Sequence, residues 1–249
     1  MKQRLFYTAG GSYALCCAAE ELEKWGVSVA DAPSMDVTHL LLSVPCKMET
    51  GELRGLLAQL PKSITVLGGN LDREELVGYR CADLLKDERY LAENAMITAH
   101  CAIRVAAEQM KVTWLNCPVL ILGWGRIGKC LGLLLKTLGA EVSIAARKES
   151  DRAMITALGC EAEDIGQLSY ILKRYRVIFN TVPYPVLCNE QITYCRKDCV
   201  RIELASRPGM PTEGAVSALG LPGRLVPESS GGLIARTVLR LCARKEGAV

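Results

Sequence analysis

Short apolar runs alternate with amphipathic stretches along the whole chain. In the first third, runs of strand length lie at 4–8, 27–29, 39–44 and 63–67, and helical periodicity lies between them at 13–25 and 52–60. Strands that alternate with helices in this way are typical of a parallel sheet. Residues 1–93 are therefore predicted to form an amino-terminal, flavodoxin-like α/β domain.

A second alternating pattern follows a long helical stretch at about 84–110, which contains neither glycine nor proline. It opens with the apolar run 118–122, which suits a central parallel strand. The pattern then predicts a helix, a strand, two helices, two strands and a last helix, at 127–138, 141–146, 151–158, 165–175, 176–180, 199–204 and 232–243. We predict an α/β fold of two parallel-sheet units. Residues 94–249 are predicted to form the second unit, a Rossmann dinucleotide-binding domain. Its last helix, at 232–243, is an alternative candidate for packing on the first unit.

Composition narrows the class of protein. The 249 residues are 50% hydrophobic, which is enough for real cores, and the net charge of +3 gives no strong field toward nucleic acid. No uninterrupted run approaches the roughly 20 apolar residues of a membrane helix. We therefore expect a cytoplasmic protein that binds a small ligand, with neither a membrane nor a nucleic-acid partner.

The 12 cysteines are scattered along the chain and include the adjacent pair Cys16-Cys17, as expected of reduced thiols in an intracellular protein. The close pair Cys195 and Cys199 has no histidine nearby to complete a tetrahedral zinc site, so no metal is expected.

Glycines follow the apolar run at 118–122 directly, in the motif Gly123-Trp124-Gly125-Arg126-Ile127-Gly128. In a Rossmann unit the first glycine permits a sharp turn, the second lets the backbone approach a pyrophosphate, and the third lets the helix pack on the sheet. The amino terminus of that helix offers amides and a positive dipole to phosphate. We predict a dinucleotide site here; the alternative is a tight strand-to-helix turn without a ligand.

The end of the next predicted strand reads Ala146-Arg147-Lys148. NAD sites usually place an acidic residue there for the ribose hydroxyls, whereas a guanidinium suits a 2′-phosphate. The sequence therefore predicts NADP as the cofactor, with NAD as the alternative. An exposed basic turn without a ligand is the other interpretation.

The chain resembles the family of the dipicolinate synthase A subunit from spore-forming bacteria. The resemblance rests on Thr98-Ala99 and on the segments 119–128, 146–148, 178–183 and 204–209. It implies an NADP-dependent oxidoreductase component of dipicolinate biosynthesis in sporulation, which oxidises a dihydrodipicolinate-type precursor to dipicolinate alongside a flavoprotein-like B subunit. Where the family usually continues Thr-Ala-Glu-Gly-Ala, this chain has Thr98-Ala99-His100-Cys101-Ala102.

The resemblance also suggests site residues. It places Asn180, Thr181, Val182 and Pro183 on the nicotinamide side of the cofactor, with a plain turn as the alternative. A dicarboxylate substrate needs fixed cations, so the candidate anchors are Arg104 and Arg207, together with Ser229 near the start of the last helix. The candidate catalytic residues are His100 and Ser206. Surface cations, helix packing and helix capping are the competing interpretations.

Rival functions remain open at this point. An NADP-binding partner or sensor would keep the glycines without any chemistry of its own, and a shikimate-dehydrogenase-like enzyme would share the two α/β units and the basic turn. A hydroxyacid dehydrogenase would need a histidine late in the chain, and none follows His100. The oligomeric state is open, with a homo-oligomer as one alternative.

Overall fold

A computed structural model describes residues 4–246 and divides the chain into two compact units. The first unit comprises the described residues up to Asn94 together with those from Pro222 onward, and the second comprises Ala95–Leu221. Each unit has its own sheet of parallel strands. The prediction of two parallel-sheet α/β units is therefore confirmed.

The elements are numbered along the chain. The strands are β1 Leu5–Ala9, β2 Ser28–Ala30, β3 His39–Leu42, β4 Thr65–Gly68, β5 Arg80–Asp83, β6 Pro118–Leu122, β7 Glu141–Ala146, β8 Glu161–Asp164, β9 Val177–Asn180, β10 Val200–Glu203 and β11 Ala215–Ser217. The helices are α1 Tyr13–Lys24, α2 Thr50–Leu57, α3 Glu88–Gln109, α4 Arg126–Thr137, α5 Glu149–Ala157, α6 Asn189–Ile192, α7 Leu221–Leu225 and α8 Pro227–Glu246. Among the described residues, no helix combines the length and the hydropathy needed to cross a membrane.

The first sheet has the strand order β2-β1-β3-β4-β5, which is the order of flavodoxin-like sheets. Its central strands are apolar because helices cover both faces of such a sheet. Leu40 of β3 pairs with Val66 of β4, and both are fully buried with Leu53 of α2 in one core cluster.

Helix α8 belongs to this first unit, on which the sequence analysis allowed the last helix to pack. The second unit therefore ends at Leu221 and not at residue 249, the bound predicted for it. The reason is the close packing of α8 against α1. A Cβ added at Gly231 of α8 would lie only 2.5 Å from Cys17 Cβ and 2.8 Å from the Ala14 carbonyl oxygen, both on α1. A bidentate ion pair adds to it, since Arg240 donates to both oxygens of Asp87 at 2.6 and 3.1 Å.

The second sheet has the order β11-β10-β9-β6-β7-β8, which is the strand order of a Rossmann fold. The central strand β6 pairs with β7 on one side and with β9 on the other. Its apolar residues Val119, Leu120, Ile121 and Leu122 are fully buried, as a strand covered on both faces requires.

One predicted helix in this unit is wrong. At 165–175 the chain forms turns and a single 3-10 segment, Leu172–Arg174. Leu168, Leu172 and Tyr175 are buried at a spacing that imitates a helix. The turn begins where Asp164 Oδ1 accepts a hydrogen bond of 2.9 Å from the Gly166 backbone N–H, directly after β8, a strand that the sequence pattern did not indicate.

Candidate active site

The glycine-rich turn begins where β6 ends. Gly123 has φ 104°, a left-handed conformation that favours glycine. A Cβ at this position would also lie 2.6 Å from Thr181 Oγ1, in the segment that follows β9. Both the conformation and the neighbouring chain therefore require glycine here.

The other two glycines of the motif differ in the space around them. A Cβ at Gly128, in the first turn of α4, would overlap the Gly123 carbonyl oxygen, so this glycine lets the helix pack against the turn. Gly125 caps α4 with an ordinary extended conformation, and a Cβ there would meet nothing of the protein within 4 Å. The protein itself does not need glycine at 125, whereas a phosphate that approaches the helix terminus would.

A cavity of about 610 Å³ lies at the carboxyl ends of β6, β7 and β9. Ligands of Rossmann sheets bind beyond these strand ends. The walls are the glycine turn, the basic turn after β7, the start of α5, one residue after β8 and the loop after β9: Gly123, Trp124, Gly125, Ala146, Arg147, Lys148, Asp151, Ile165, Thr181, Val182, Pro183, Tyr184, Pro185 and Val186. The cavity thus brings together the glycines and the basic turn that the sequence motifs indicated.

The basic turn exposes two cations at the rim of this cavity. Arg147 and Lys148 are both exposed, and both line it. Arg152 fixes the turn from behind, because its Nη1 donates to the Ala146 carbonyl oxygen at 3.1 Å and to that of Arg147 at 2.9 Å. Asp151 lies on the same wall, in the first turn of α5, and was missed in the sequence.

The loop after β9 is tied to the glycine turn. Thr181 donates twice to the Leu122 carbonyl oxygen, from its backbone N–H at 3.0 Å and from its hydroxyl at 2.8 Å. These bonds hold Thr181, Val182 and Pro183 against the cavity that they line.

Asn180 does not contact the cavity, contrary to the expectation from the sequence. Its side chain is fully buried, and Nδ2 donates to the Val182 carbonyl oxygen at 3.0 Å and to the carboxylate of Glu203 at 2.8 and 2.9 Å. Its Oδ1 accepts from the Val182 backbone N–H at 3.1 Å. The interpretation of Asn180 as a ribose ligand is corrected, because these partners occupy its amide; it shapes the loop instead.

Glu203, the last residue of β10, is the centre of this buried network and was missed in the sequence. Besides the Asn180 amide, its carboxylate accepts hydrogen bonds from the backbone N–H groups of Ala205, Gly209 and Met210, at 2.9, 3.0 and 3.3 Å. The available signal was the acidic residue at the carboxyl end of β10, directly before the apolar residues Leu204 and Ala205. One buried carboxylate thereby holds the loops after β9 and β10 together.

The remaining candidates lie outside the described lining of the cavity. His100 and Arg104 are exposed on α3, and Arg104 donates to Glu108 at 3.4 Å. Ser206 and Arg207 are exposed in the loop after β10. Three more positions complete this group: Arg126, Ile127 and Ser229. Ser229 belongs to the first unit and lies inside the first turn of α8, which begins at Pro227, so the capping interpretation is also corrected.

Strand order, glycine turn and cavity position define the class of this protein. The second unit is a Rossmann unit with a cavity at the carboxyl ends of its strands, and the chain has the fold of the NAD(P)-dependent dehydrogenases. A solved structure of L-alanine dehydrogenase, for example, superposes with a TM-score of 0.73 over 98% of this chain and 82% of that one, at 13% identity.

Within this class, the chain is similar to the A subunit of dipicolinate synthase. It is 28% identical to that protein of Bacillus subtilis (strain 168) over 158 residues, which cover 60% of this chain and 53% of the relative. The match thus spans about half the length of the curated relative. The solved A chain of dipicolinate synthase from Bacillus subtilis superposes with a TM-score of 0.81 over 100% of this chain and 99% of that one, at 20% identity. No family model matches the chain. The resemblance predicted from the motifs is confirmed.

Proposed function

We propose that this protein is an NADP-dependent oxidoreductase component of the dipicolinate synthase A type. The observation that carries the proposal is the cavity at the carboxyl ends of β6, β7 and β9, which joins the glycine turn and the basic turn in one site. The likeness in sequence to the A subunit of dipicolinate synthase supports the reaction type.

The residues of the cavity fit a dinucleotide. The start of α4 would hold the pyrophosphate, because the missing side chain at Gly125 leaves its backbone open to an anion. Arg147 and Lys148 would hold the 2′-phosphate. The planar guanidinium of Arg147 would match the phosphate oxygens, and the ammonium of Lys148 would add a charge on a flexible side chain. Thr181, Val182 and Pro183 would line the nicotinamide side, on the loop that the two bonds of Thr181 to β6 keep in place.

The substrate would be a dihydrodipicolinate-type precursor, oxidised to dipicolinate. The chemistry that NADP supplies when bound is a two-electron oxidation by hydride transfer. The chain's own part would be to orient the reactants. The loop that carries Ser206 and Arg207 suits this role, because Glu203 fixes its backbone, and the Arg207 guanidinium has the geometry for a carboxylate. The partner would be a flavoprotein-like B subunit, since the relative is itself named as one subunit of a synthase.

Titration calorimetry with NADP and NAD, followed by NADP in the presence of dipicolinate, tests the proposal. We expect NADP to bind at least about tenfold more tightly than NAD, a difference of about 1.4 kcal/mol. We also expect dipicolinate to change the affinity for NADP, since product and cofactor would share one site. NADP binding that ignores dipicolinate would point to another substrate, and a chain that binds neither nucleotide would refute the cofactor assignment.

Arg147→Glu tests the choice between the nucleotides. The substitution replaces a cation by a carboxylate at the rim, so NADP affinity should fall by roughly 10- to 100-fold, as for the loss of charged hydrogen bonds, while NAD affinity stays level or rises. Lys173→Glu is the matched control. It makes the same change of charge at an exposed position of the same unit, but Lys173 does not line the cavity. Equal losses of NADP affinity in both variants would show that the net charge of the protein, and not the position of Arg147 at the cavity, causes the effect.

A second candidate function has its own observation. His100, the proposed proton carrier, is exposed on α3 and lies outside the described lining of the cavity. This placement favours an NADP-binding partner or sensor that performs no chemistry. Such a protein would bind NADP tightly, yet would transfer no hydride, either alone or with the flavoprotein-like partner.

A further inference from the structure

A second cavity of the Rossmann unit lies at the amino ends of β9, β10 and β11, and its volume is about 390 Å³. The proposed cofactor cavity lies at the carboxyl ends of the same sheet. Strand β9 has four residues, so roughly 13 Å of strand separates the two. Sites for small molecules typically measure about 300–1,000 Å³. The second cavity is therefore large enough for a small ligand of its own.

The lining of this cavity is strongly positive. Cations reach it from the segment after α3, from the residue before β9, from the turn before β10 and from β10 itself, against one carboxylate: Lys111, Arg176, Lys197 and Arg201, with Asp198. Four cations and one carboxylate give this lining a formal charge of +3, which equals the net charge of the whole chain. The rest of the chain thus balances its charges, and the excess lies here.

The single carboxylate does not neutralise this excess. Asp198 accepts a hydrogen bond of 2.8 Å from Arg176 Nη1 and another of 2.8 Å from Arg196 Nε, so two guanidinium groups share one negative charge. Within the part of the chain that the structure describes, the other three cations of the lining form no ion pair: Lys111, Lys197 and Arg201. A positive field therefore remains for an anion that enters.

One of these cations is fixed in place. Arg201 Nη2 donates to the Glu213 carbonyl oxygen at 2.6 Å, and Nη1 donates to that of Pro211 at 3.5 Å. Gly214 has φ 66°, and a Cβ there would lie 2.9 Å from Arg201 Nη2, so a side chain would crowd the guanidinium. The two carbonyl groups carry no net charge and use two of the five N–H donors of an arginine. Three donors and the full charge of Arg201 are left for a ligand.

The remaining lining is largely apolar and comes from the segment after α3 and from the edge strands: Met110, Val112, Val200 and Val216. Val112 is 44% exposed, so its side chain offers apolar surface to a ligand. An inorganic anion would leave that surface in contact with water, whereas an organic group would cover it. The lining thus suits a ligand with both an organic part and anionic groups.

We propose that this cavity binds a small organic molecule that carries two phosphate groups. The Arg201 guanidinium holds one phosphate through paired hydrogen bonds, and the ammonium groups of Lys111 and Lys197 neutralise the other. The apolar side chains contact the organic part between the phosphates. This site is separate from the proposed cofactor cavity and does not rest on the proposed oxidoreductase activity.

Titration calorimetry of the full chain tests the proposal with D-fructose 1,6-bisphosphate as the probe. We expect the bisphosphate to bind at least about 10-fold more tightly than inorganic phosphate, fructose to show no binding, and added salt to weaken the binding. Excess NADP should leave the affinity nearly unchanged, because the two cavities lie farther apart than the Debye length of about 8 Å. Hexaglutamate that binds more tightly than the bisphosphate would overturn the assignment in favour of an acidic protein partner.

Variants then locate the binding. The double variant Lys111→Gln/Lys197→Gln should lower the affinity for the bisphosphate by roughly 10-fold or more, as for the loss of a charged hydrogen bond. Both lysines are exposed, so the fold should be unaffected. Lys47→Gln/Lys173→Gln is the matched control, since it removes two exposed lysines outside this cavity and should change nothing.

Chemical acetylation of lysines, mapped by mass spectrometry, gives a readout that does not depend on affinity. Bound bisphosphate should protect Lys111 and Lys197 and leave Lys173 as reactive as before. A bisphosphate that does not bind, or whose binding falls in Arg147→Glu and not in the double variant at this cavity, would overturn the proposal. Since NADP binding is measured separately, this failure and that of the cofactor assignment are distinguishable.

Discussion

Replacing Gly125 with alanine is expected to cost most of the nucleotide affinity and almost none of the stability. The backbone at 125 has φ −79° and ψ −171°, which any residue adopts, and the added methyl group meets no protein atom within 4 Å. It does occupy the space through which a pyrophosphate would approach the start of α4. We expect NADP affinity to fall by roughly 10- to 100-fold, as for one lost charged hydrogen bond, with an unchanged melting temperature.

Gly128→Ala is the matched control, because the same methyl group meets the Gly123 carbonyl oxygen there. Overpacking of this kind costs about 1–3 kcal/mol, so the melting temperature should fall clearly. The two variants together distinguish a ligand requirement from a packing requirement. A Gly125→Ala protein that binds NADP like the wild type would show that the turn does not hold phosphate.

Glu203→Ala is expected to destabilise the second unit strongly. It removes the acceptor of the buried backbone N–H groups of Ala205 and Gly209, and it leaves the Asn180 amide with only its bond to the Val182 carbonyl oxygen. Breaking a buried charged network typically costs about 3–5 kcal/mol. We expect a loss of that size in urea unfolding. NADP affinity should also fall, because the loop after β9 loses its support.

A double-mutant cycle with Asn180→Ala measures how far this network acts as a unit. Residues that share a buried network usually show coupling of about 0.5–3 kcal/mol, so the double variant should lose less than the sum of the two single losses. Glu190→Ala, at an exposed position in the same unit, is the control and should stay within about 0.5 kcal/mol of the wild type. Fully additive losses would contradict a shared network.

The central strands of the Rossmann sheet were predictable because burial on both faces leaves a continuous apolar run. The predicted bounds of β6 and β7 agree with the structure residue for residue. The edge strands were missed for the opposite reason, since β8 carries acidic residues and β11 is only three residues long. In β8, the structure pairs Glu161 with Arg174 at 2.8 Å across the sheet edge, a contact that no local pattern indicates.

The residues at the wall of the cavity were predictable, and the hydrogen-bond network behind them was not. Glycines and an arginine at strand ends stand out by position alone, so the sequence could single out Gly125 and Arg147, which both line the cavity. The direction of a side chain depends on partners that are distant in sequence. This explains why Asn180 was assigned to the ribose and why Glu203 was missed. Asn180 turns inward because Glu203 accepts its amide from the neighbouring strand, and Glu203 looked like an ordinary strand residue because that partner is distant in sequence.

The path of the chain through its two units determines the order in which they can be completed during synthesis. The second unit is a single stretch, Ala95–Leu221, whereas the first needs α8, which the ribosome makes after the whole of the second unit. The Rossmann unit can therefore finish folding while the earlier-made sheet still exposes the face of α1 that α8 covers. A nascent chain would thus hold its Rossmann unit complete before the unit that contains its amino-terminal sheet is closed.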